Sequence, residues 1–210
     1  MNISHALSPL LAVISGSLLS GTALSDNIVL PPPDKKGGRP LMQVLNERHS
    51  TRSFADKPIP MEILSSLLWA AQGVNRDDPD YRTAPSSRNS NEIEIYAVLP
   101  QGTYLYKPET HQLERVVQGD MRAATGTQEF AATAPLNLVY VVDQSKQPGD
   151  FDAKRKLVTA CTGVGFIGEN VYLFCTSAGL GTVFRAMIDA DYIQPVSYTH
   201  LRAHETRRHL

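Results

Sequence analysis

Arg48-His49-Ser50-Thr51-Arg52-Ser53-Phe54 places two guanidiniums four residues apart, with two hydroxyls between them. In an extended segment or at a helix end, these groups can converge on one dianionic phosphate. Arginine suits that task because its planar fork makes paired hydrogen bonds to phosphate oxygens and its charge is permanent. The same residues could instead solvate a surface turn or favour the negative end of a helix dipole. Just upstream, Leu41, Val44 and Leu45 form a short amphipathic face that ends at Arg48. The motif is therefore expected at or just past a helix C-terminus.

Working outward, Pro60 suits an early helical position. Ile63, Leu64, Leu67, Leu68 and Ala71 then build an apolar helical face, with Trp69 in or near the core and Gly73 as the stop. Asn75–Ser90 lacks periodicity and reads as a loop. Within it, Pro85-Ser86-Ser87-Arg88-Asn89 is turn chemistry on its face. Ile93–Leu99 reads as a strand, and Thr103–Tyr106 with Gln112–Val117 as a hairpin. Gly119–Phe130 reads as a helix. Leu136–Val142 is a continuous apolar run, expected as a central strand buried on both faces. Phe151–Ala178 is the longest helical pattern, with Leu157, Cys161, Val164, Ile167, Val171 and Phe174 recurring at helical spacing. Gly163, Gly165 and Gly168 are costly in a lone helix, and close packing against another backbone would explain them. Gly179 stops the helix, and Thr182–Ile188 reads as a further strand. The sum is an α+β domain, a mixed sheet flanked by helices.

The chain has 210 residues and a net charge of −1. One domain is expected. No basic stripe with interleaved aromatics suggests a nucleic-acid partner. Residues 1–25 hold no Lys, Arg, Asp or Glu, and Leu10–Leu19 is largely apolar. Ala23 and Ser25 are small residues before a cleavage point at Asp26. Residues 1–25 therefore read as a signal peptide, with a periplasmic or secreted destination; a short buried helix is the alternative. The apolar run is too short to span a bilayer comfortably, and no stable membrane anchor is expected. Residues 26–40 read as a Pro/Gly linker and 41–195 as the folded domain. Val196–Thr206 resembles one translated frame of a transposon-type sequencing adapter, so 196–210 is expected to be a non-native tail that begins after Pro195.

That tail holds His200, His204 and Glu205, a spacing that imitates a helical metal pair. With His209 also in the tail and His5 in the leader, only His49 and His111 remain. No metal site and no Ser-His-Asp triad are expected. Cys161 and Cys175 stand fourteen residues apart on one helical pattern. That is about 21 Å, too far for a disulfide. Both read as small buried hydrophobes.

Several stretches, in order, resemble the nitroreductase family, in the branch that includes thiazoline- and oxazoline-forming oxidases. They are Arg48–Phe54, Leu67–Asn75, Arg82–Asn89, Tyr104-Leu-Tyr106, Ala134-Pro135 and Glu169–Leu173 before Gly179-Leu-Gly181. The resemblance covers about Leu41 to Ile193. It implies a mainly antiparallel central sheet and an interlocked homodimer with FMN at the interface. It assigns Arg48, Ser50 and Arg52, with His49 alongside, to the ribityl phosphate. It assigns Pro85, Ser86, Ser87 and Asn89 to flavin contacts made from the partner subunit. Backbone near Arg185, Ala186 and Met187 would face the reactive edge of the isoalloxazine. The flavin carries the chemistry, so no protein group is named as catalytic.

The resemblance thus implies an FMN-dependent oxidoreductase that takes electrons from a small donor and passes them to a nitro compound or quinone. The alternatives are an FMN-dependent oxidase of peptide-derived heterocycles, a flavin-binding module without turnover, and a structural protein with no ligand. Family members continue into a last strand whose basic residues also hold the phosphate. The adapter-like residues stand there in this chain, and weakened FMN binding is the expectation.

Overall fold

A computed structural model describes residues 27–185. Its centre is a five-stranded antiparallel sheet in the order β1-β4-β3-β2-β5. The strands are β1 (Ile28–Val29), β2 (Ile93–Leu99), β3 (Gly102–Lys107), β4 (Gln112–Gln118) and β5 (Asn137–Val142). The helices are α1 (Leu41–Glu47), α2 (Met61–Gln72), α3 (Phe130–Thr133) and α4 (Ala153–Ser177). The α+β class and the mainly antiparallel sheet are as expected.

β2 and β3 form a tight hairpin, pairing Leu99 with Gly102 and Tyr96 with Leu105. α2 lays Leu64, Leu67, Leu68 and Ala71 into the core that β2 and β3 supply through Ile95, Ala97 and Tyr104. α4 joins this core through Ala160, Ile167, Val171 and Cys175. Full burial of one such leucine or isoleucine contributes about 1.5–3 kcal/mol.

The ends of α2 and α4 follow from their sequences. Glu62 in the first turn of α2 complements the helix dipole. Asp152 caps α4, its carboxylate accepting from the Arg155 amide at 2.7 Å. Gly179 adopts φ +70°, the Leu180 amide donates to the Cys175 carbonyl at 2.7 Å, and the Gly179 amide to Thr176. This is a Schellman motif, and it turns the chain sharply towards the site. Gly73 ends α2 for a different reason. Its φ is −72°, but a Cβ there would lie 2.3 Å from Trp69 Cδ1.

Several expectations are corrected. From Asn27 on, the segment read as a linker is strapped to the body. β1 pairs with β4, Ser65 Oγ donates to the Pro31 carbonyl at 2.5 Å, and the Asp34 amide donates to Ser66 Oγ at 3.0 Å. Gly119–Phe130 is no helix but a 3-10 turn at Arg122–Thr125 followed by the short α3. Arg122 holds this irregular path by donating to Asp120 and to the Ala134 carbonyl. β5 is not central. Among the described residues its only paired neighbour is β2, and five of its six residues are half-buried. Thr182–Arg185 is not a strand, and the rest of that expectation, with Ala186 and Met187, lies outside the described residues. Among the described residues, none of the three α4 glycines approaches another backbone. A Cβ on Gly163 would touch Ile93, one on Gly168 would crowd Phe184, and Gly165 faces open space.

Candidate functional site

β5 borders a cavity of about 660 Å³. Its walls come from 51–60, the start of β5, the inner face of α4 and 179–185. Leu136, Leu138, Tyr140, Val164 and Val171 make it largely apolar. Size and lining fit a small-molecule or cofactor site. Tyr140 and Phe184 stack across it, with ring centroids 6.2 Å apart and planes 15° apart.

The chain closes the cavity by joining two segments far apart in sequence. The Thr51 amide donates to the Thr182 carbonyl at 2.9 Å. Gly181 permits this approach, since a Cβ there would lie 2.9 Å from Thr51 Cγ2. Tyr172 of α4 reinforces it. The Phe184 amide donates to the Tyr172 hydroxyl at 2.8 Å, and Ser50 Oγ lies 2.8 Å from the same oxygen. The Arg48 guanidinium lies over the Tyr172 ring, 5.1 Å from its centroid, in cation–π geometry.

The Arg48–Arg52 motif therefore sits past the C-terminus of α1, as its sequence implies. Thr51 and Ser53 line the cavity, while Arg48, His49, Ser50 and Arg52 flank it without forming its wall. His49 Nδ1 is 2.8 Å from the Glu47 carbonyl. The ion pairing of the arginines is informative. Arg39, Arg82, Arg88 and Arg122 each pair with a carboxylate. Arg48 and Arg52 have no carboxylate partner among the described residues. Two cations and a hydroxyl left available beside a cavity suit an incoming dianionic phosphate.

At the other end of the cavity, Arg185 Nη2 donates to Asn137 Oδ1 at 3.0 Å. Asn137 is oriented for this because its Nδ2 donates to the Ala131 carbonyl at 2.8 Å. Arg185 lies over the Phe130 ring, which packs on Phe54 with centroids 5.9 Å apart. Its Nη1 is buried without a partner among the described residues, and burial lowers the pKa of the guanidinium. Cys175, also lining the cavity, is no nucleophile, because burial pushes its thiol up to about 12.

Pro85, Ser86, Ser87 and Asn89 do not line this cavity. They form a separate exposed turn. Ser87–Asn89 is a 3-10 turn in which Arg88 and Asn89 adopt φ of 56° and 55°. Asn tolerates that conformation and Arg rarely does. The two-pronged Arg88–Asp150 pair, at 2.9 and 3.0 Å, holds the turn. Within one chain, the two motifs are not brought together. Tyr172, Asn137 and Phe184 line the cavity, and the sequence did not single them out.

The Nitroreductase family model matches residues 45–200. A protein of Methanocaldococcus jannaschii named as a nitroreductase, MJ1384, is 33% identical over 153 residues, covering 68% of this chain and 76% of that protein. A crystal structure named as a nitroreductase, from Ralstonia eutropha JMP134, is 38% identical with a TM-score of 0.76, covering 92% of this chain and 88% of its own. A chain of the E. coli microcin synthetase McbBCD complex shares the fold at 17% identity and a TM-score of 0.58, covering 90% of this chain and 77% of its own.

Proposed function

The chain belongs to the nitroreductase family, and we propose that this flavin-dependent oxidoreductase uses FMN to pass electrons from a small donor to a small electrophilic acceptor, of the nitro or quinone type. The observation that carries the reading is the Tyr172 clamp. It joins Ser50, in the segment expected at the phosphate, to Phe184, beside the residues expected at the flavin's reactive edge.

In this reading, Arg48 and Arg52 hold the phosphate by charge-assisted hydrogen bonds, and Ser50 adds a neutral one. The apolar walls from Leu136 to Tyr140 and from Val164 to Val171 exclude water. FMN, when bound, would supply the hydride chemistry. Pro85, Ser86, Ser87 and Asn89 would reach the flavin of a second copy, in a homodimer. The surface of α4 supports that arrangement. Its stripe from Gly163 to Cys175 is buried in the core, yet Leu157, Val158 and Phe166 remain 66%, 56% and 46% exposed. An apolar patch of this kind suits a protein interface. Residues 1–25 support export to the periplasm or beyond, which N-terminal sequencing of the mature protein tests.

The decisive experiment titrates the purified chain with FMN and follows flavin fluorescence. Saturable quenching in the wild type, lost in the Arg48→Ala/Arg52→Ala variant, is expected. Equal quenching in both would remove the arginines from the phosphate site. A protein that never takes up FMN would overturn the proposal. With FMN bound, reduction by a donor and reoxidation by a nitroarene or quinone tests the acceptor class.

A further inference from the structure

The cavity beside β5 carries charge of one sign. Lys57 and Arg185 line it, and among the described residues no Asp or Glu does. The chain as a whole has a net charge of −1, so this sign is not inherited from composition. Asp56 and Glu129 adjoin the wall in sequence but are not part of it. The Arg122 guanidinium, already paired with Asp120, also feels the charge of Asp56. Lys57 and Arg185 have no carboxylate partner among the described residues. They are also additional to Arg48 and Arg52, which flank the cavity without forming its wall.

The two cations differ in what they can do. Arg185 Nη2 donates to Asn137 Oδ1 at 3.0 Å and to Thr125 Oγ1 at 3.4 Å, and its Nη1 is buried. Arg185 therefore acts on a ligand through its field. Lys57 is exposed. Its ammonium, with three donors on a flexible stem, can meet a ligand directly. The wall around them is aromatic. Phe54 packs on Phe130 with centroids 5.9 Å apart, and the Arg185 guanidinium lies 5.6 Å from the Phe130 centroid. Tyr140, Tyr172 and Phe184 add three more rings to the lining. Aromatic side chains pair favourably with a flat aromatic ligand. An apolar wall also strengthens the pull of a nearby charge.

We infer that the small electrophile this cavity takes is an aromatic acid: a flat ring bearing a carboxylate, which Lys57 binds and the charge of Arg185 attracts. This rests on the oxidoreductase reading and adds the shape and charge of its acceptor. The same field disfavours a cationic acceptor, and a neutral one gains only from the rings.

The test uses titration calorimetry on the full chain, before and after loading with FMN, whose uptake is read from the visible flavin band. The ligands are 4-nitrobenzoate and 4-nitrobenzamide, which share the ring and the nitro group and differ in charge. On the loaded chain, the benzoate should bind about three- to tenfold more tightly at low ionic strength. The gap should close as salt rises to about 1 M. Lys57→Glu sets a carboxylate in the wall at an exposed position and should reverse the order. The wild-type salt dependence reports even if that variant folds poorly. Equal binding of the two ligands, binding of neither, or an unreversed order in folded Lys57→Glu overturns the inference while FMN uptake stands. A chain that takes up no FMN yet prefers the benzoate overturns the acceptor role together with the oxidoreductase reading, and leaves an aromatic-acid site. No uptake and no preference overturn both.

Discussion

Ser50 Oγ and Tyr172 Oη lie 2.8 Å apart, although 122 residues separate them in sequence. The Phe184 amide donates to the same phenol oxygen, which leaves the phenolic proton available to Ser50. Tyr172 thus sets where the Ser50 hydroxyl sits. Tyr172→Phe keeps the ring under Arg48 and deletes only these hydrogen bonds. FMN binding should weaken about two- to tenfold, the worth of a net hydrogen bond of roughly 0.5–1.5 kcal/mol. Fluorescence titration measures it, and unchanged affinity would detach Tyr172 from the phosphate site.

Gly181 and Thr51 approach so closely that a methyl on the glycine would sit 2.9 Å from Thr51 Cγ2 and 3.0 Å from its Cβ. Gly181→Ala should cost about 1–3 kcal/mol through overpacking. Thr51→Ser removes Cγ2 and should recover part of that loss, so the pair will be non-additive. Denaturant midpoints of the four proteins complete the cycle. Additive effects would mean that the clash relaxes elsewhere.

Much of the fold was legible because periodicity reports one-sided burial. α2, β2 and the hairpin bury the stripe that their sequences display, whereas α4 buries Ile167 and Val171 but leaves Leu157 and Cys161, the latter read as buried, exposed. Gly119–Phe130 was not legible, since its helix formers are outweighed by specific bonds from Arg122 that draw the chain into a 3-10 turn. β5 is less buried than its apolar run suggests, because Leu-Val-Tyr-Val-Val also suits the wall of an apolar cavity. The arginines that flank the cavity stand out in the sequence by charge and spacing. Tyr172 does not, because one tyrosine on a long helix carries no one-dimensional sign of the hydroxyl it will meet.

Arg185 is a half-buried cation with no carboxylate partner among the described residues. It is held by Asn137, and its pKa is lowered by burial. Partial desolvation of a guanidinium that lacks an ion-pair partner opposes folding. Arg185→Met should therefore leave the melting temperature unchanged or raise it, while altering which acceptors reoxidise the flavin. Calorimetry beside an acceptor panel tests both halves. A marked fall in melting temperature would make Arg185 a structural residue instead.

His111 gives the molecule a pH dependence whose sign can be worked out. Ser65 Oγ donates to the Pro31 carbonyl at 2.5 Å. The His111 Nε2–H is thus left to donate to Ser65 Oγ at 2.7 Å, and Nδ1 to accept from the Tyr106 hydroxyl at 3.0 Å. The neutral ring satisfies every partner and, through the Leu30 amide on the His111 carbonyl, backs the β1 strap. Burial lowers the His111 pKa, and the Lys35 charge lowers it further. The unfolded chain then binds the proton first. Stability from this group is complete above the unfolded value of about 6.5 and is lost as pH falls from there through the lower folded value. Carboxylates titrate in any variant, so the comparison must be with His111→Gln, which cannot charge. Below about pH 6.5, the wild-type melting temperature should fall more steeply than that of the variant, and the two curves should run parallel above it. Parallel curves throughout would mean that His111 ionises as easily folded as unfolded, and that the Ser65–His111–Tyr106 network does not hold the ring neutral.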